Sequence, residues 1–185
     1  MSEQLMVKHC SPTLAGIKTG NLFSCSYTTK DALFSSVRQI NRKLKHKGIR
    51  VLPLRFSKRR ALIYVYRPAI LGKDLSREEA VDILKESGYE KENGSYCLRQ
   101  LAKRLREGDG FPHEVGLFLS YPPEDVRGFM VHKGANCKCV GCWKVYGDAE
   151  EAQRLFDDYK SCSEYCYRQW QNGATLEELT AEVCC

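Results

Sequence analysis

The sequence has no long apolar run. Its apolar stretches are far shorter than the roughly 18 residues of a transmembrane helix. Residues 1–25 lack the basic start and continuous apolar core of a secretory signal, and repeats, low-complexity tracts and linkers are missing as well. These absences argue against a membrane partner and predict a cytoplasmic protein. We expect residues 1–185 to form a single domain that is frayed at 1–8 and 184–185.

Acidic residues are missing from one long segment. No Asp or Glu occurs from Ala32 to Lys73, although this segment holds 12 of the 29 basic residues. The other 17 basic residues are outnumbered by 23 acidic ones, so the net charge of +6 is unevenly placed. Such polarity attracts phosphates or an acidic partner. It predicts a basic docking surface formed by Arg42, Lys43, Lys45, Lys47, Lys58, Arg59 and Arg60.

A solvated helix face and a basic hairpin tip are the plainer interpretation of this segment. No aromatic residues interleave with the basic ones in the sequence, as they do in many nucleic-acid platforms.

Cysteine, by contrast, is abundant, with ten in the chain. Without an export signal these are expected to be reduced thiols or metal ligands rather than disulfides. Closely spaced thiolates can converge on one zinc or iron ion, and the candidate metal ligands are Cys137, Cys139, Cys142, Cys162 and Cys166. Their spacing differs from that of a zinc ribbon, so scattered reduced thiols are the alternative.

The segment HCSPTLAGIKTGNLFSC, residues 9–25, suggests a phosphate loop but does not have the required spacing. Gly16 stands only two residues before Lys18, and no apolar strand precedes it. Ser11 as N-cap and Pro12 as first helical residue instead predict a short helix that Gly20 closes. This helix would present three side chains to a pocket, namely Thr13, Lys18 and Asn21.

Cys10 would then lie just outside a helix N-terminus, where the helix dipole favours the thiolate. With His9 or His113 as base it is a candidate nucleophile. A structural, partly buried cysteine is the alternative.

Periodicity and turn residues predict an α/β (or α+β) domain, with a mixed sheet of about four strands and helices packed on it. A hairpin is expected in which Pro53 marks an edge or a bulge, and a Ser76–Glu79 capping box opens a later helix. Residues 112–121 are apolar on both faces, which places them in a central strand, and 113–146 have the length of a parallel crossover. Strands are predicted at 49–56, 61–67, 112–121 and 141–147, and helices at 29–47, 76–87, 95–106, 122–133, 148–171 and 176–183.

In open α/β sheets, ligands bind beyond the carboxyl ends of the strands. Tyr121, Glu124 and Asp125 follow the predicted central strand and are therefore candidate pocket residues. The two acids would otherwise only complement a helix N-terminus. Lys144 interrupts an apolar strand and is expected to pair with one of these acids, whereas His113 begins the central strand and is less well placed.

Three segments resemble a known family: PTLAGIKTGNLF (12–23), PHEVGLFLSYPPEDVRGF (112–129) and CWKVYGDAEEA (142–152). It is an uncharacterised bacterial domain-of-unknown-function family, common in anaerobic Gram-positive bacteria. The resemblance extends over nearly the whole chain and implies no particular activity. Members often lie near flavodoxin and iron-uptake genes, which implies a role in iron or redox metabolism. The three segments would form one pocket if they converge, and the cysteine cluster falls outside the core of the motifs.

The leading hypothesis is a cytosolic ligand-binding or regulatory protein linked to iron or redox metabolism. An acidic redox protein, flavodoxin-like, would dock on its basic surface. A cysteine-dependent enzyme using Cys10 is the second hypothesis, and nucleic-acid binding through the basic 38–60 surface is the third.

Overall fold

The computed structural model describes residues 1–90, 93–108 and 110–182. They form a mixture of helices and strands, as expected. The helices are α1 Glu3–Leu14, α2 Lys30–Leu44, α3 Pro68–Leu75, α4 Glu78–Glu86, α5 Gly94–Glu107, α6 Pro123–His132 and α7 Ala149–Gln171. The strands are β1 Gly20–Ser26, β2 Arg50–Ser57, β3 Arg60–Tyr66, β4 Cys139–Val140 and β5 Lys144–Val145, and 3₁₀ helices cover Lys45–Lys47 and His113–Leu119.

Two compact units can be distinguished. The first unit comprises Met1–Ile70 and Ser161–Cys185, and the second comprises Leu71–Lys160. None of the helices in the described ranges is both long and apolar enough to cross a membrane. The predicted frayed residues 184–185 lie outside the described ranges.

The first unit contains a three-stranded antiparallel sheet in the order β1-β3-β2. The predicted hairpin is confirmed as β2 and β3. Both interpretations of Pro53 are correct, because β2 is an edge strand and its register with β3 shifts between Pro53 and Arg55. A proline cannot donate a main-chain hydrogen bond, so an edge or a bulge is where a sheet tolerates it. One face of the sheet and the inner sides of α1 and α2 share a hydrophobic core.

The segment that opens the chain differs from its prediction. α1 begins at Glu3, and the Ser2 side chain caps it by accepting a hydrogen bond from the Leu5 amide. Residues 3–8 are therefore helical rather than frayed. Ser11 is no N-cap, since its hydroxyl donates to the Val7 carbonyl at 2.6 Å within the helix. Residues 20–26 form β1, which the sequence analysis missed.

Arg67 connects the ends of several elements of the first unit. Its side chain is only 1% exposed, and its partners among the described residues are main-chain carbonyls. Nε donates to Thr13 at 2.7 Å, and Nη1 to Lys47 at 3.1 Å. Nη2 donates to Leu14 at 2.5 Å and to Ala181 at 2.8 Å. Thr13 and Leu14 end α1, whose terminal carbonyls have no partner within the helix, so the guanidinium both caps α1 and holds the C-terminal segment.

The second unit contains the largest correction to the predicted fold. Residues 113–119 form a buried 3₁₀ helix rather than a central strand, and Ser120 ends it with a φ of 58°. The predicted strand 141–147 is reduced to β5, which pairs antiparallel with β4. The mixed four-stranded sheet and the parallel crossover were therefore wrong, because the strands form a three-stranded and a two-stranded sheet, both antiparallel.

Most of the predicted helices are confirmed, namely α2, α4, α5, α6 and α7. The Ser76 capping box is not, since Ser76 donates to the Gly72 carbonyl at 2.7 Å and α4 starts at Glu78. Residues 176–180 form turns rather than a helix, and α3 was not predicted.

Replacing Arg67 tests its role in the first unit. Arg67→Lys keeps the charge but cannot supply the planar fork, so the carbonyls at the end of α1 lose hydrogen bonds from the guanidinium. We expect it to lower the free energy of unfolding by about 2–4 kcal/mol, and Arg67→Met to lower it further, measured by urea denaturation. Arg55→Lys, on an exposed position of β2, is the matched control. Equal stability of Arg67→Lys and Arg55→Lys would contradict the role of Arg67.

Candidate functional site: a cavity in the second unit

A buried carboxylate organises the region around α6 and the β4–β5 hairpin. Asp125 lies in the first turn of α6 and is 3% exposed. Its Oδ1 accepts hydrogen bonds from the amides of Tyr146 at 2.6 Å and Gly147 at 2.8 Å. Its Oδ2 accepts from the indole Nε1 of Trp143 at 2.6 Å. Both oxygens are therefore engaged in holding the hairpin against the helix, and the carboxylate is a structural group rather than a free acid.

Aromatic rings continue this arrangement. Trp143 stacks on Tyr121 with ring centroids 4.7 Å apart, and meets Phe156 edge-on at 4.5 Å. Burial raises the pKa of Tyr121 to about 12. Its hydroxyl thus stays protonated at neutral pH and donates to the Cys142 carbonyl at 3.3 Å.

Two glycines allow the elements to approach closely. A Cβ on Gly128 in α6 would collide with the ring of Tyr146, and one on Gly141 would collide with the ring of Phe156. Gly128 belongs to the segment 112–129, so the close contact of α6 with the hairpin gives a physical reason for this glycine.

These elements enclose a cavity of about 420 Å³. This volume is in the usual range for small-molecule sites. The walls come from the 3₁₀ helix, α6 and the β4–β5 hairpin. Most of the lining is apolar or aromatic, including Val115, Leu119, Tyr121, Val126, Phe129 and Trp143.

Lys144 supplies a positive charge to this lining. Its Nζ donates to the Gly134 carbonyl at 2.6 Å and lies 6.0 Å from the ring centroid of Phe129. An ammonium has three donors, and no described carboxylate pairs with this one. The expected pairing of Lys144 with Glu124 or Asp125 was therefore wrong, since the hairpin amides and Trp143 occupy the Asp125 oxygens.

Of the candidate pocket residues in the second unit, all but Glu124 line this cavity. Tyr121, Asp125 and Lys144 line the same cavity, and His113 joins them from an exposed position next to Phe129. Glu124 is exposed and is not part of the lining. The helical periodicity of α6 explains the difference, because neighbouring residues of a helix point in different directions.

The predicted residues of the opening segment belong to the first unit. The Thr13 hydroxyl donates to Asn21 Oδ1 at 2.7 Å, so these two side chains join α1 to β1. Lys18 is 7% exposed. Cys10 is fully buried within α1 rather than outside a helix N-terminus, and burial raises the pKa of its thiol. Its position inside the helix and its raised pKa both remove the predicted activation of Cys10 as a nucleophile.

The structure gives no support to a metal site at Cys137, Cys139, Cys142, Cys162 and Cys166. Among residues 1–90, 93–108 and 110–182, no three His, Cys, Asp or Glu side chains are grouped so that they could hold one metal ion. Cys162 and Cys166 lie one turn apart on α7, where the hydrogen bond from Cys162 lowers the pKa of Cys166 and raises its own. Spacing in the sequence could not show this, because convergence depends on the fold.

The predicted basic docking surface is divided into two groups. One group, Arg42 to Lys47, precedes β2, and the other, Lys58 to Arg60, follows it. The eight residues of β2 separate them by about 25 Å. Lys43 pairs with Glu3 at 2.6 Å, and Lys47 donates to the Thr180 carbonyl at 3.1 Å.

Asp125→Asn tests the carboxylate that holds the hairpin. An amide can present an acceptor to only one side, so at least one of the three donors would lose its partner. We expect the free energy of unfolding to fall by about 2–3 kcal/mol. Fluorescence of Trp143 during denaturation reports it in a Trp170→Phe background, since the chain has 2 tryptophans. Glu124→Gln, one residue away and exposed, should change little, and equal losses in the two variants would contradict the structural role of Asp125.

Thiol alkylation tests the burial of Cys10. At neutral pH we expect maleimide to label the exposed Cys142 rapidly and Cys10 only on unfolding, because a buried thiol with a raised pKa is rarely a thiolate. Peptide mass spectrometry measures both rates in one sample. Labelling of native Cys10 as fast as Cys142 would restore it as a candidate nucleophile.

Comparison with known proteins identifies a family whose model matches nearly the whole chain. The model of the family described as "Protein of unknown function (DUF3793)" matches residues 6–180, which include all three segments of the resemblance. No curated protein matches the chain, and no solved structure matches it either. Since the family model covers nearly the full length, the chain belongs to this family of proteins of unknown function.

Proposed function

We propose that the protein binds a small apolar molecule carrying one negative charge, in the cavity of the second unit. The observation that supports this most is Lys144, a half-buried ammonium without a carboxylate partner among the described residues, at an otherwise apolar wall. Buried aromatic and aliphatic walls with a few polar groups are typical of ligand sites. Ammonium–anion hydrogen bonds are stronger than neutral ones.

The remaining polar groups of the cavity favour the same type of ligand. Asp125 has both oxygens engaged by three N–H groups, so it offers no free acceptor to a cationic ligand. The Tyr121 hydroxyl donates a hydrogen bond to the Cys142 carbonyl. His113 lines the exposed side of the cavity and offers a ring N–H as a hydrogen-bond donor. An aromatic or aliphatic carboxylate or sulfonate fits this combination.

A binding or regulatory role is thus the function that the geometry supports best, since the thiol proposed as nucleophile is buried in α1. The link to iron or redox metabolism, the flavodoxin-like partner and the cytoplasmic location rest on the resemblance and the composition. They stay predictions, as does a zinc or iron cofactor.

Two fluorescent probes test the proposed ligand class. Anilinonaphthalene sulfonate is an apolar anion, and phenylnaphthylamine is the same molecule without the sulfonate. We expect Lys144→Met to weaken binding of the sulfonate about tenfold or more, since a hydrogen bond to a charged group contributes roughly 1.5–3 kcal/mol. Binding of the uncharged probe should stay unchanged. Equilibrium titration of the probe fluorescence measures both.

Lys133→Met is the matched control, because it removes the same charge from an exposed lysine at the C-terminus of α6. Val140→Trp, at an exposed wall position, should weaken both probes by narrowing the cavity. If Lys144→Met and Lys133→Met bind the sulfonate equally well, the charge preference is wrong. If Val140→Trp weakens the binding of neither probe, the cavity is not the binding site.

A further inference from the structure

The first unit brings three aromatic rings together at the tip of the β2–β3 hairpin. Phe56, near the end of β2, meets Tyr27 edge-on at 5.7 Å and Phe34 of α2 at 5.7 Å between ring centroids. Phe34 is 39% exposed, although it is a large apolar residue. The rings come from three separate segments, so the sequence shows no aromatic interleaving where the fold creates it.

Positive charges surround these rings. Lys30 Nζ lies 5.2 Å above the Phe56 ring. Tyr27 is joined to the hairpin turn by its hydroxyl, which donates to the Lys58 carbonyl, and by its amide, which donates to the Arg59 carbonyl, both at 3.0 Å. The side chains of Lys58 and Arg59 are exposed at this turn. We call these residues, Tyr27, Lys30, Phe34, Phe56, Lys58 and Arg59, the hairpin-tip platform.

Along the chain, Asp31 is the one acidic residue near the platform, because residues 4–30 contain no Asp or Glu. Asp31 is the last acidic residue before a segment that has no Asp or Glu up to Lys73. Arg38 stands one turn after Phe34 on α2, as Lys30 stands one turn before it, so ring and cations share one side of the helix. The line from Lys30 to Arg38 is about 12 Å long.

We propose that the hairpin-tip platform binds single-stranded nucleic acid. The exposed Phe34 ring, supported by the half-buried rings of Phe56 and Tyr27, can stack with a base of any sequence, and adjacent lysine and arginine side chains can contact the phosphates. Stacking requires bases that are not already stacked within a duplex, which selects single strands. Acidic side chains of a protein partner would use the cations but would leave the exposed Phe34 ring unused, whereas each base of a single strand brings a planar face to stack on it. This function is independent of the cavity in the second unit.

Anisotropy of a fluorescein-labelled octathymidylate tests the proposal with the full chain. We expect binding at low salt that weakens steeply as salt rises. Phe34→Ala should weaken it about tenfold, since one base–aromatic stack accounts for such a factor, and Phe34→Tyr should retain it. Tyr165→Ala removes an exposed ring from α7 and serves as the control. Circular dichroism checks that each variant is folded.

The charges are tested separately from the ring. Lys58→Gln with Arg59→Gln should reduce the slope of log affinity against log salt by about 1.4, which is about 0.7 for each charge lost against a single strand. Arg99→Gln with Arg106→Gln removes two exposed charges from α5 and should leave the slope unchanged. Absence of binding at low salt overturns the proposal. So does binding that Phe34→Ala leaves intact and that polyglutamate abolishes as efficiently as unlabelled octathymidylate, which would identify a surface for an acidic protein.

Discussion

The first unit depends on one buried cation that has no carboxylate partner among the described residues. Removing a guanidinium from water is costly unless its donors are satisfied. In Arg67, four hydrogen bonds to main-chain carbonyls offset this cost, and they connect the end of α1, the end of the 3₁₀ turn after α2 and the C-terminal segment. All four acceptors are main-chain atoms. The Arg67 side chain therefore fixes the path of the backbone at these three places directly.

Asp125 has the complementary role in the second unit. There a buried carboxylate collects two main-chain amides and an indole N–H, and so orients the β4–β5 hairpin on α6. The hydrogen-bonding groups of Arg67 and Asp125 are thus occupied, mostly by main-chain atoms, and these two side chains stabilise the fold. The charges that remain for recognition are therefore others: Lys144 at the cavity of the second unit, and Lys30, Lys58 and Arg59 at the hairpin tip of the first.

Local signals predicted much of the secondary structure and part of the site. The apolar spacing of α2 and α5, the double proline and acidic first turn of α6, and the Asp148 cap of α7 all act within a few residues, so they could be identified directly. Tyr121, Asp125 and Lys144, which the sequence suggested as pocket residues, line one cavity although the strand that located them does not exist. The end of the 3₁₀ helix and the start of α6 bring them to the cavity in its place.

Other sequence patterns were misleading because each is compatible with more than one secondary structure or position within a helix. Residues 115–119 are apolar throughout, which suits a central strand and a buried 3₁₀ helix equally well. Ser11 and Pro12 are typical of a helix start, yet they lie at the end of α1, where burial of Met6, Cys10 and Leu14 outweighs the local preference.

By itself, the sequence determined the family, the unequal distribution of charge and the helices whose caps and periodicity are local. Only the tertiary structure decided which charges are buried and which remain available. Arg67 and Lys58 are both basic residues of the same acid-free segment, but one is enclosed by carbonyls from distant parts of the chain and the other is exposed at a turn. The same holds for Phe34, Tyr27 and Phe56, whose contact depends on strand pairing and helix packing. Such long-range contacts carry no signature in the spacing of residues along the chain, since they form only when distant segments fold together.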